Sequence, residues 1–484
     1  MMGFQPPPQR SLFYTSFHLD KRIRKNHPLR KIHELIDFDF LYDEVRDKYG
    51  NKGNVSVAPP VILKLMILLV FYNVRSEREL METLPERLDW LWFLGYDLDA
   101  TIPNHSVLSK ARIRWGTEIF QQFFERIVWQ CVEARLVDGQ KLFLDSSLID
   151  ADASNNSVVD THSLKRHLNN SYRELENRLA DKDEITKELQ GGSQGVNARY
   201  VSTTDPDASI VRRGKPKLQY QTHRAVDPGY EVITATEMTP GAVNEAHRLT
   251  FLLDSHQENT GKKAETVVAD SKYGTIENYL ACYDRGVKAH IPDLDRNRKN
   301  KGRRKGIFSE DRFSYDQESD TYQCPAGKIL KPQSLHKNRQ SIDYSAPRKE
   351  CARCELRPQC TSNKTGRTIK RHLRQNELDQ MRFLTKTAAS RSDIRTRKHL
   401  MERTFANAKR YDFDRARWRG LWRVSIQEYL TATIQNIQKL ITHGKYSGGK
   451  SAIDVSIAEK GWNIFTLSNQ FKHCRYWQTP NLEY

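Results

Sequence analysis

Two short apolar runs, each leading into an aspartate, constrain the fold of this chain most strongly. The segment 265–274, ETVVADSKYG, leads into Asp270, and the segment 141–149, KLFLDSSLI, leads into Asp145. Apolar and β-branched runs of this length predict buried strands, and the residues after Asp270 predict a turn and then a helix. In α/β folds such strands deliver reactive side chains to one edge of the sheet. We therefore expect both aspartates at strand ends, close together in space.

Each aspartate also has a simpler interpretation. An aspartate that follows a strand is often only a turn former or a helix cap, and this is the plainest role for Asp270. Asp150 and Asp152 lie close to Asp145 in the sequence and compete with it as the important acid of the first run. The alternation of residues puts Asp145 at the core-proximal end of the strand, which favours it.

The order of predicted elements around these runs indicates a fold class. The Asp145 strand is followed by a polar insertion at 153–216, a hairpin over 217–236, a helix, the Asp270 strand, another helix and a short strand. This is the element order of a ribonuclease-H-like sheet interrupted after its first strand. We expect an α/β ribonuclease-H-like catalytic core with insertions over 138–445, preceded by an all-α N-terminal DNA-binding domain.

Charge and composition indicate the kind of partner. The 484 residues carry a net charge of +18, and a surplus of cations binds polyanions by releasing counterions from phosphates. Basic proteins also often have only a well-hydrated surface, so charge favours nucleic acid without establishing it. The most apolar run, 61–74, is interrupted by Lys64 and Asn73 and is too short for a membrane span. Seven cysteines and no signal-peptide pattern predict a reduced, cytoplasmic protein without a membrane partner.

Four regions outside the core are distinguished by composition: a basic arm at 1–26, a helical domain at 27–135, a cysteine-rich second insertion at 295–390 and a tail at 446–484. The helical domain ends in a helix studded with cations, including Arg112 and Arg114. Several short helices before such a helix suit a helix-turn-helix-like DNA reader. A dimerisation module with a solvated basic face is an equally good interpretation.

A third acid is predicted on a late helix over 393–410. Arg395, Lys398, Glu402 and Lys409 are spaced so that they share one helical face. That face surrounds one carboxylate with cations, which favours its ionised form and offers positive charges to DNA phosphates. Taken alone, Glu402 is more often a surface ion-pair residue than a metal ligand.

Four cysteines in the second insertion form a separate candidate metal site. Cys351, Cys354 and Cys360 have the spacing C-x2-C-x5-C and are preceded by Cys324. Four thiolates can enclose a structural zinc ion, although this spacing is not that of a standard zinc ribbon. An iron–sulfur cluster and unligated buried thiols are the alternatives. A metal here would order the insertion and take no part in catalysis.

An Arg- and Trp-rich segment follows the late helix. Arg417 and Arg419 flank Trp418, and Trp422 lies just beyond them. Arginines of this kind hold phosphates while tryptophans stack on an unpaired base. Core packing is the alternative role for at least one tryptophan, and His223 and His247 are more simply explained as structural or exposed residues.

The four blocks with these features resemble a known family. They are FLDSSLIDADAS at 143–154, KLQYQTHRAVD at 217–227, VVADSKYGTIENY at 267–279 and RKHLMERTFANAKRYDFDRARWRG at 397–420. From about residue 27 to 445 the chain resembles the DDE transposases of bacterial insertion sequences, in the subgroup with a cysteine-bearing insertion. Glu402 and Lys409 match the family's Glu signature, whereas Arg395 and Lys398 stand where the family often has Tyr and Arg.

The resemblance implies an activity and a set of partners. It implies an enzyme that binds terminal inverted repeats, hydrolyses a strand to free a 3′-OH and transfers that end to target DNA, in the bacterial nucleoid. Asp145, Asp270 and Glu402 would hold two Mg²⁺ ions, for which Mn²⁺ could be substituted. Synapsis of two element ends implies a homodimer on double-stranded DNA. A DNA-binding derivative that no longer cuts and a nuclease that never joins strands are the alternatives.

Overall fold

The computed structural model describes residues 1–4, 18–160, 197, 199–211, 215–294 and 307–444. The residues from Met1 to Gly444 belong to one compact unit. Residues 5–17 of the basic arm, the charged run near 164–189, the cationic run 296–305 and the tail from 446 lie outside the described residues. No helix in the described part of the chain is long and apolar enough to cross a membrane.

The N-terminal region is helical, as predicted. Ser76 caps one of its helices by accepting a hydrogen bond from the backbone N–H of Glu79 at 3.1 Å, and Pro59 and Pro60 begin the apolar helix where their missing N–H groups cost nothing. The helices are α1 (Leu19–Arg22), α2 (Pro28–Leu35), α3 (Phe40–Glu44), α4 (Pro59–Phe71), α5 (Glu77–Thr83), α6 (Leu88–Leu94), α7 (Ser106–Trp115) and α8 (Glu118–Glu133).

A mixed sheet follows these helices. Its strand order is β6-β5-β1-β7-β8, with β5 antiparallel to both of its long neighbours and β7 and β8 parallel to β1. The short strand β4 pairs antiparallel with the first residues of β5, so the end of the first predicted insertion joins the main sheet. The strands are β1 (Lys141–Asp150), β4 (Ser209–Val211), β5 (Lys217–Asp227), β6 (Val232–Pro240), β7 (Thr266–Val268) and β8 (Lys288–His290), while β2 (Val158–Asp160) pairs with β3 (Tyr200–Ser202).

Helices cover both faces of this sheet. Successive residues of a strand point to opposite faces, and in these strands both sets of residues are apolar. Leu142 and Leu144 of β1 pack on one face with α9 (Leu249–Thr260) and α10 (Ile276–Arg285). Phe143 points to the opposite face, where it packs with residues of α8 and of the two last helices. A strand that is buried on both faces explains why each run is continuously apolar.

The second insertion forms its own small sheet and short helices. Its core contains Phe313, Tyr322, Leu330, Tyr344, Ala346 and Ile369. The elements are β9 (Ser314–Asp316), β10 (Thr321–Gln323), β11 (Ile329–His336), β12 (Ser341–Ser345), α11 (Arg348–Ala352), α12 (Arg357–Cys360) and β13 (Thr368–His372), with neighbouring strands antiparallel.

Three helices complete the described chain: α13 (Gln375–Leu384), α14 (Ala388–Lys409) and α15 (Leu421–His443). The apolar side of α15 enters the same core as the N-terminal helices, so the helical region and the end of the chain are packed as one body. Arg224 of β5 is fully buried and bonds Glu428 of α15 through two nitrogens, at 2.6 and 2.7 Å. This ion pair ties the centre of the main sheet to α15.

Candidate active site

The main sheet brings the two predicted aspartates to the same place. β1 and β7 run parallel with Phe143 opposite Val268, and continuing that register by two residues sets Asp145 beside Asp270. The predicted positions need one adjustment. Asp145 lies in the middle of β1, which continues to Asp150 by pairing with β5, so only Asp270 follows the end of its strand.

Asp145 is held between a cation and a cluster of acids. Arg397 of α14 donates to its carboxylate at 2.7 Å, and the backbone N–H of Ser146 donates at 2.9 Å. Burial raises the pKa of Asp145 above its usual range, Arg397 opposes that rise, and nearby Asp270 and Glu245 add to it. The acid of the first strand is therefore a partly desolvated carboxylate beside two others.

Asp270 also acts as a helix cap. Its side-chain oxygen accepts a hydrogen bond from the backbone N–H of Lys272 at 2.8 Å and caps the short 3₁₀ helix Ser271–Tyr273. One carboxylate oxygen suffices for this cap. Capping therefore orients Asp270 and leaves the second oxygen for another partner.

Glu245 is a third acid at this place, and the sequence interpretation missed it. It is buried, at 4% exposure, and begins the 3₁₀ helix Glu245–Arg248 that leads into α9. Its carboxylate accepts a hydrogen bond from the Ser146 hydroxyl and pairs with Lys272. The signal was weak, because a glutamate in the first turn of a helix is ordinarily explained by the helix dipole.

Tyr273 lies beneath the three acids. Its side chain is fully buried, and its hydroxyl has no hydrogen-bond partner of normal geometry among the described residues. Burial raises the pKa of the phenol well above its usual range, and Glu245, Asp145 and Asp270 raise it further. The unpartnered hydroxyl is thus close to all three carboxylates.

The acid side chains do not form a complete metal-binding site. Among the described residues, no three His, Cys, Asp or Glu side chains are placed so that they could hold one metal ion. Arg397 instead compensates the charge of Asp145, and Lys272 compensates that of Glu245. The carboxylate oxygens are nevertheless the donors that Mg²⁺ prefers, so the chemistry of the donors fits a divalent cation once the side chains rearrange around it.

The helix α14 presents the predicted cationic face to solvent. Arg395, Lys398, Glu402 and Lys409 are all exposed, as their shared spacing predicts. Arg397 instead points inward to Asp145. None of the contacts that surround Asp145 and Asp270 in the described chain involves Glu402.

Two of the predicted DNA-binding arginines are structural in this fold. Arg112 is buried at 3% exposure, pairs with Glu77 at 2.5 Å and stacks on Trp418 at 4.1 Å. The side chain of Arg417 is also buried and donates to the backbone carbonyl of Val74 at 2.6 Å. Burial takes both out of reach of a phosphate, so we remove them from the proposed DNA contacts.

Arg114 and Arg419 remain accessible, as Arg395 does. Arg114 is exposed and stacks on Tyr49 at 4.5 Å, and Arg419 is exposed and pairs with Asp152 at 3.2 Å. The pairing also gives Asp152 a structural explanation. His223 is fully buried and bonds the Thr239 hydroxyl at 2.8 Å, as expected of a structural histidine.

The four predicted cysteines lie near one another in the second insertion. Burial raises the pKa of the Cys360 thiol, and the neighbouring Cys324, Cys351 and Cys354 raise it further. All four are half-buried free thiols, and Cys324 accepts a backbone hydrogen bond from Lys328 at 3.3 Å. The thiols share one neighbourhood, although no three of them are placed to hold a metal ion in the described structure.

Comparisons with known proteins match both ends of the chain. Residues 17–114 match a family described as a transposase domain, DUF772, and residues 323–441 match a family described as a transposase DDE domain. No curated protein matches the chain. A solved structure described as the Mos1 transposase paired-end complex with left transposon end is 11% identical, with a TM-score of 0.16, and covers 52% of this chain and 64% of that chain. At that TM-score the likeness adds nothing to the fold described above.

Proposed function

We propose that this chain is a DDE transposase of an insertion sequence, which cleaves DNA at the ends of its element and joins the freed end to target DNA. One observation carries the proposal: the register of β1 and β7 sets Asp145 beside Asp270 at one end of the main sheet. The strand order β6-β5-β1-β7-β8, with β5 antiparallel, supports a ribonuclease-H-like assignment of that sheet.

The acids are suited to hold divalent cations. Asp145 and Asp270 offer hard carboxylate oxygens, and the buried Tyr273 hydroxyl beside them lacks the partner that a metal-bound water would supply. When bound, a pair of Mg²⁺ or Mn²⁺ ions would activate water and neutralise charge on the phosphorus. Glu402 remains the proposed third acid on the basis of its signature, and it would have to approach the other two when DNA binds.

The proposed reaction has two steps, hydrolysis of a DNA strand and transfer of the freed end. In the first, water adds to phosphorus, the P–O3′ bond breaks, and the products are a 3′-OH and a 5′-phosphate. In the second, that 3′-OH adds to a phosphorus of target DNA, whose own 3′ oxygen leaves. Asp145, oriented by Arg397, would hold the cation that positions the reacting phosphate, and the partly desolvated site would limit competing water during the joining step.

The DNA would run along the exposed face of α14. Arg395, Lys398 and Lys409 on this face, together with Arg114 and Arg419, offer cations to phosphates. The N-terminal helices would contribute to recognition of the terminal repeat. Because two element ends must be brought together, we infer that the chain acts as a dimer on DNA.

The second insertion is proposed as a structural zinc domain. Its four thiols lie close together beside a core of only six buried apolar side chains. Small cores of this size commonly depend on a metal for order. Zinc bound by Cys324, Cys351, Cys354 and Cys360 would stabilise this sheet and take no part in cutting.

The proposal is tested by a nicking and joining assay on DNA that carries the element's ends. Asp145→Asn, Asp270→Asn and Glu402→Gln are each compared with Asp254→Asn, which changes an exposed acid paired with Arg285. We expect Mg²⁺-dependent cleavage and labelled ends in a target plasmid for wild type and Asp254→Asn only. Cleavage that survives in all three site variants would refute the site.

The same assay separates the two alternatives. Specific end binding by wild type without Mg²⁺-dependent cleavage would identify a DNA-binding derivative. Cleavage without transfer of labelled ends would identify a nuclease. Cleavage by Asp145→Asn and Asp270→Asn but not by Glu402→Gln would move the reaction to a different group of acids.

A further inference from the structure

We propose that Glu245 is a further acid of the metal site, binding a divalent cation together with Asp145 and Asp270. The inference rests on the proposed function and deepens it, because Glu245 belongs to no part of the Asp145, Asp270 and Glu402 set. From the sequence pattern alone, Glu245 is only a glutamate at the start of a helix.

The position of Glu245 is fixed by the fold. Its 3₁₀ helix, Glu245–Arg248, packs against the 3₁₀ helix Ser271–Tyr273 that Asp270 caps. Asn278 fastens the two turns together, donating to the carbonyl of Ala246 and to that of Tyr273, both at 2.9 Å. Two turns held in this way keep the Glu245 and Asp270 side chains on one side of the sheet end.

The contacts of Glu245 reach both predicted strands. Its carboxylate accepts from the Ser146 hydroxyl, the residue next to Asp145, and pairs with Lys272, two residues beyond Asp270. The Glu245 side chain is 5% exposed, whereas the Lys272 side chain is 45% exposed. The carboxylate is therefore anchored inside the site, and its cation reaches in from solvent.

The buried hydroxyl of Tyr273 is an independent indication of a ligand. It makes no hydrogen bond of normal geometry among the described residues, although the Ser146 hydroxyl and the carboxylates of Glu245, Asp145 and Asp270 lie close to it. Leaving a buried hydroxyl without a partner costs roughly 1–3 kcal/mol. Mg²⁺ keeps several of its waters when bound, and one of them would provide the missing hydrogen bond.

Two basic side chains, Arg397 and Lys272, pair with the carboxylates that a metal ion would bind. Three acids gathered at one point repel one another, and Arg397 on Asp145 and Lys272 on Glu245 relieve that repulsion. Lys272 would be displaced when a divalent cation binds, since it is the more exposed of the two. Lys272 and the metal therefore compete for Glu245.

This competition gives the test two variants with opposite expected effects. Mn²⁺ binding to the full-length protein without DNA is measured from the electron paramagnetic resonance signal of the free ion. Glu245→Gln should weaken binding at least about tenfold, because a carboxylate donor is lost. Lys272→Gln should tighten it, because the competing cation is removed.

The matched control is Glu237→Gln. Glu237 is also a partly buried glutamate paired with a basic residue, Arg248, and it lies only eight positions before Glu245. This variant should bind Mn²⁺ as wild type does. If Glu245→Gln binds as Glu237→Gln does, the inference is overturned. If Glu245→Gln does not fold, Lys272→Gln decides: unchanged or weaker Mn²⁺ binding overturns the inference.

Asp145→Asn distinguishes failure of this inference from failure of the proposed function. Loss of Mn²⁺ binding and cleavage in Asp145→Asn, with both retained in Glu245→Gln, would leave the proposed function standing without Glu245. Retention of both in Asp145→Asn and in Glu245→Gln would refute the two together.

Discussion

The acid-lined end of the main sheet and the cysteine-bearing sheet differ in what holds them together. At the acid end, β1 lies between two layers of helices, and the charges of the acids are compensated by Arg397 and Lys272. The cysteine-bearing sheet has a small core, and its thiols are half-buried. A region with large cores on both faces does not need a metal to fold, whereas a region with one small core commonly depends on one.

The two proposed metals would therefore have different roles. A divalent cation at the acid end would bind where packing already holds the sheet, and its contribution would be to chemistry. Zinc at the cysteines would join segments of a sheet that has only a small core, and its contribution would be to order.

The largest expected effect tests how much the buried ion pair between Arg224 and Glu428 stabilises the main sheet. Glu428→Ala should lower the free energy of unfolding by about 3–5 kcal/mol, because it leaves Arg224 buried without its partner. Denaturant titration in excess chelator measures the change. The control Asp43→Ala, which breaks an exposed pair with Arg46, should cost at most about 1 kcal/mol. Equal costs for the two variants would contradict the central role of the buried pair.

The next effect separates chemistry from stability at the acid end. Asp270→Asn should reduce the rate of DNA cleavage at least about 100-fold, because an uncharged amide binds a divalent cation poorly. The amide oxygen can still accept the hydrogen bond from the Lys272 backbone, so the melting temperature should stay close to that of wild type. Single-turnover cleavage and thermal melting measure the two quantities. A large fall in melting temperature would show that Asp270 serves the fold.

Acid should weaken the main sheet through a buried histidine. His256 lies between the Thr234 hydroxyl and the carbonyl of Gly139, and burial lowers its pKa to about 4 from an ordinary 6.5. The unfolded chain therefore binds the proton more tightly, so the stabilisation is complete above pH 6.5 and is lost as the pH falls towards 4. The loss should be about 1–3 kcal/mol.

His256→Gln should remove this part of the pH dependence, because glutamine does not titrate. Denaturant titrations of both proteins between pH 4 and 7 measure it. The exposed His247 provides the control, since His247→Gln should leave the slope unchanged. Identical slopes for wild type and His256→Gln would exclude the histidine as the cause.

The smallest effect is confined to the cysteine-bearing sheet. Cys354→Ser should remove bound zinc and speed amide hydrogen exchange between residues 307 and 372, while exchange in β1 and β5 stays slow. Metal analysis and hydrogen-exchange mass spectrometry measure both. Cys131→Ala, which changes a buried cysteine of α8, should keep its zinc. Absence of zinc in wild type would favour the alternative of unligated thiols.

The sequence predicted the parts of the fold that depend on local pattern. The strands around Asp145 and Asp270, the hairpin β5–β6 and the helices α8 and α14 follow from periodicity, and they bring the two aspartates together as expected. The strands of the second insertion were not predicted, because they are short and pair mainly within their own sheet. Local pattern carries little information about such strands.

Side-chain environments were harder to predict than strands. Arg112 has the spacing of a surface cation, yet Glu77 and Trp418 from distant segments bury it. Glu245 has the position of an ordinary first-turn acid, yet Ser146 and Lys272 draw it into the site. In both cases the decisive partners are far away in the sequence, so no pattern within one helix reveals them.

The most direct test of the central claim is to map where a divalent cation binds. Fe²⁺ bound in place of Mg²⁺, treated with ascorbate and peroxide, cuts the backbone beside its ligands, and mass spectrometry locates the cuts. We predict cuts near Asp145, Glu245 and Asp270 that excess Mg²⁺ suppresses. Cuts restricted to the cysteine-bearing sheet, or no cuts that Mg²⁺ suppresses, would contradict a metal site at the end of β1 and β7.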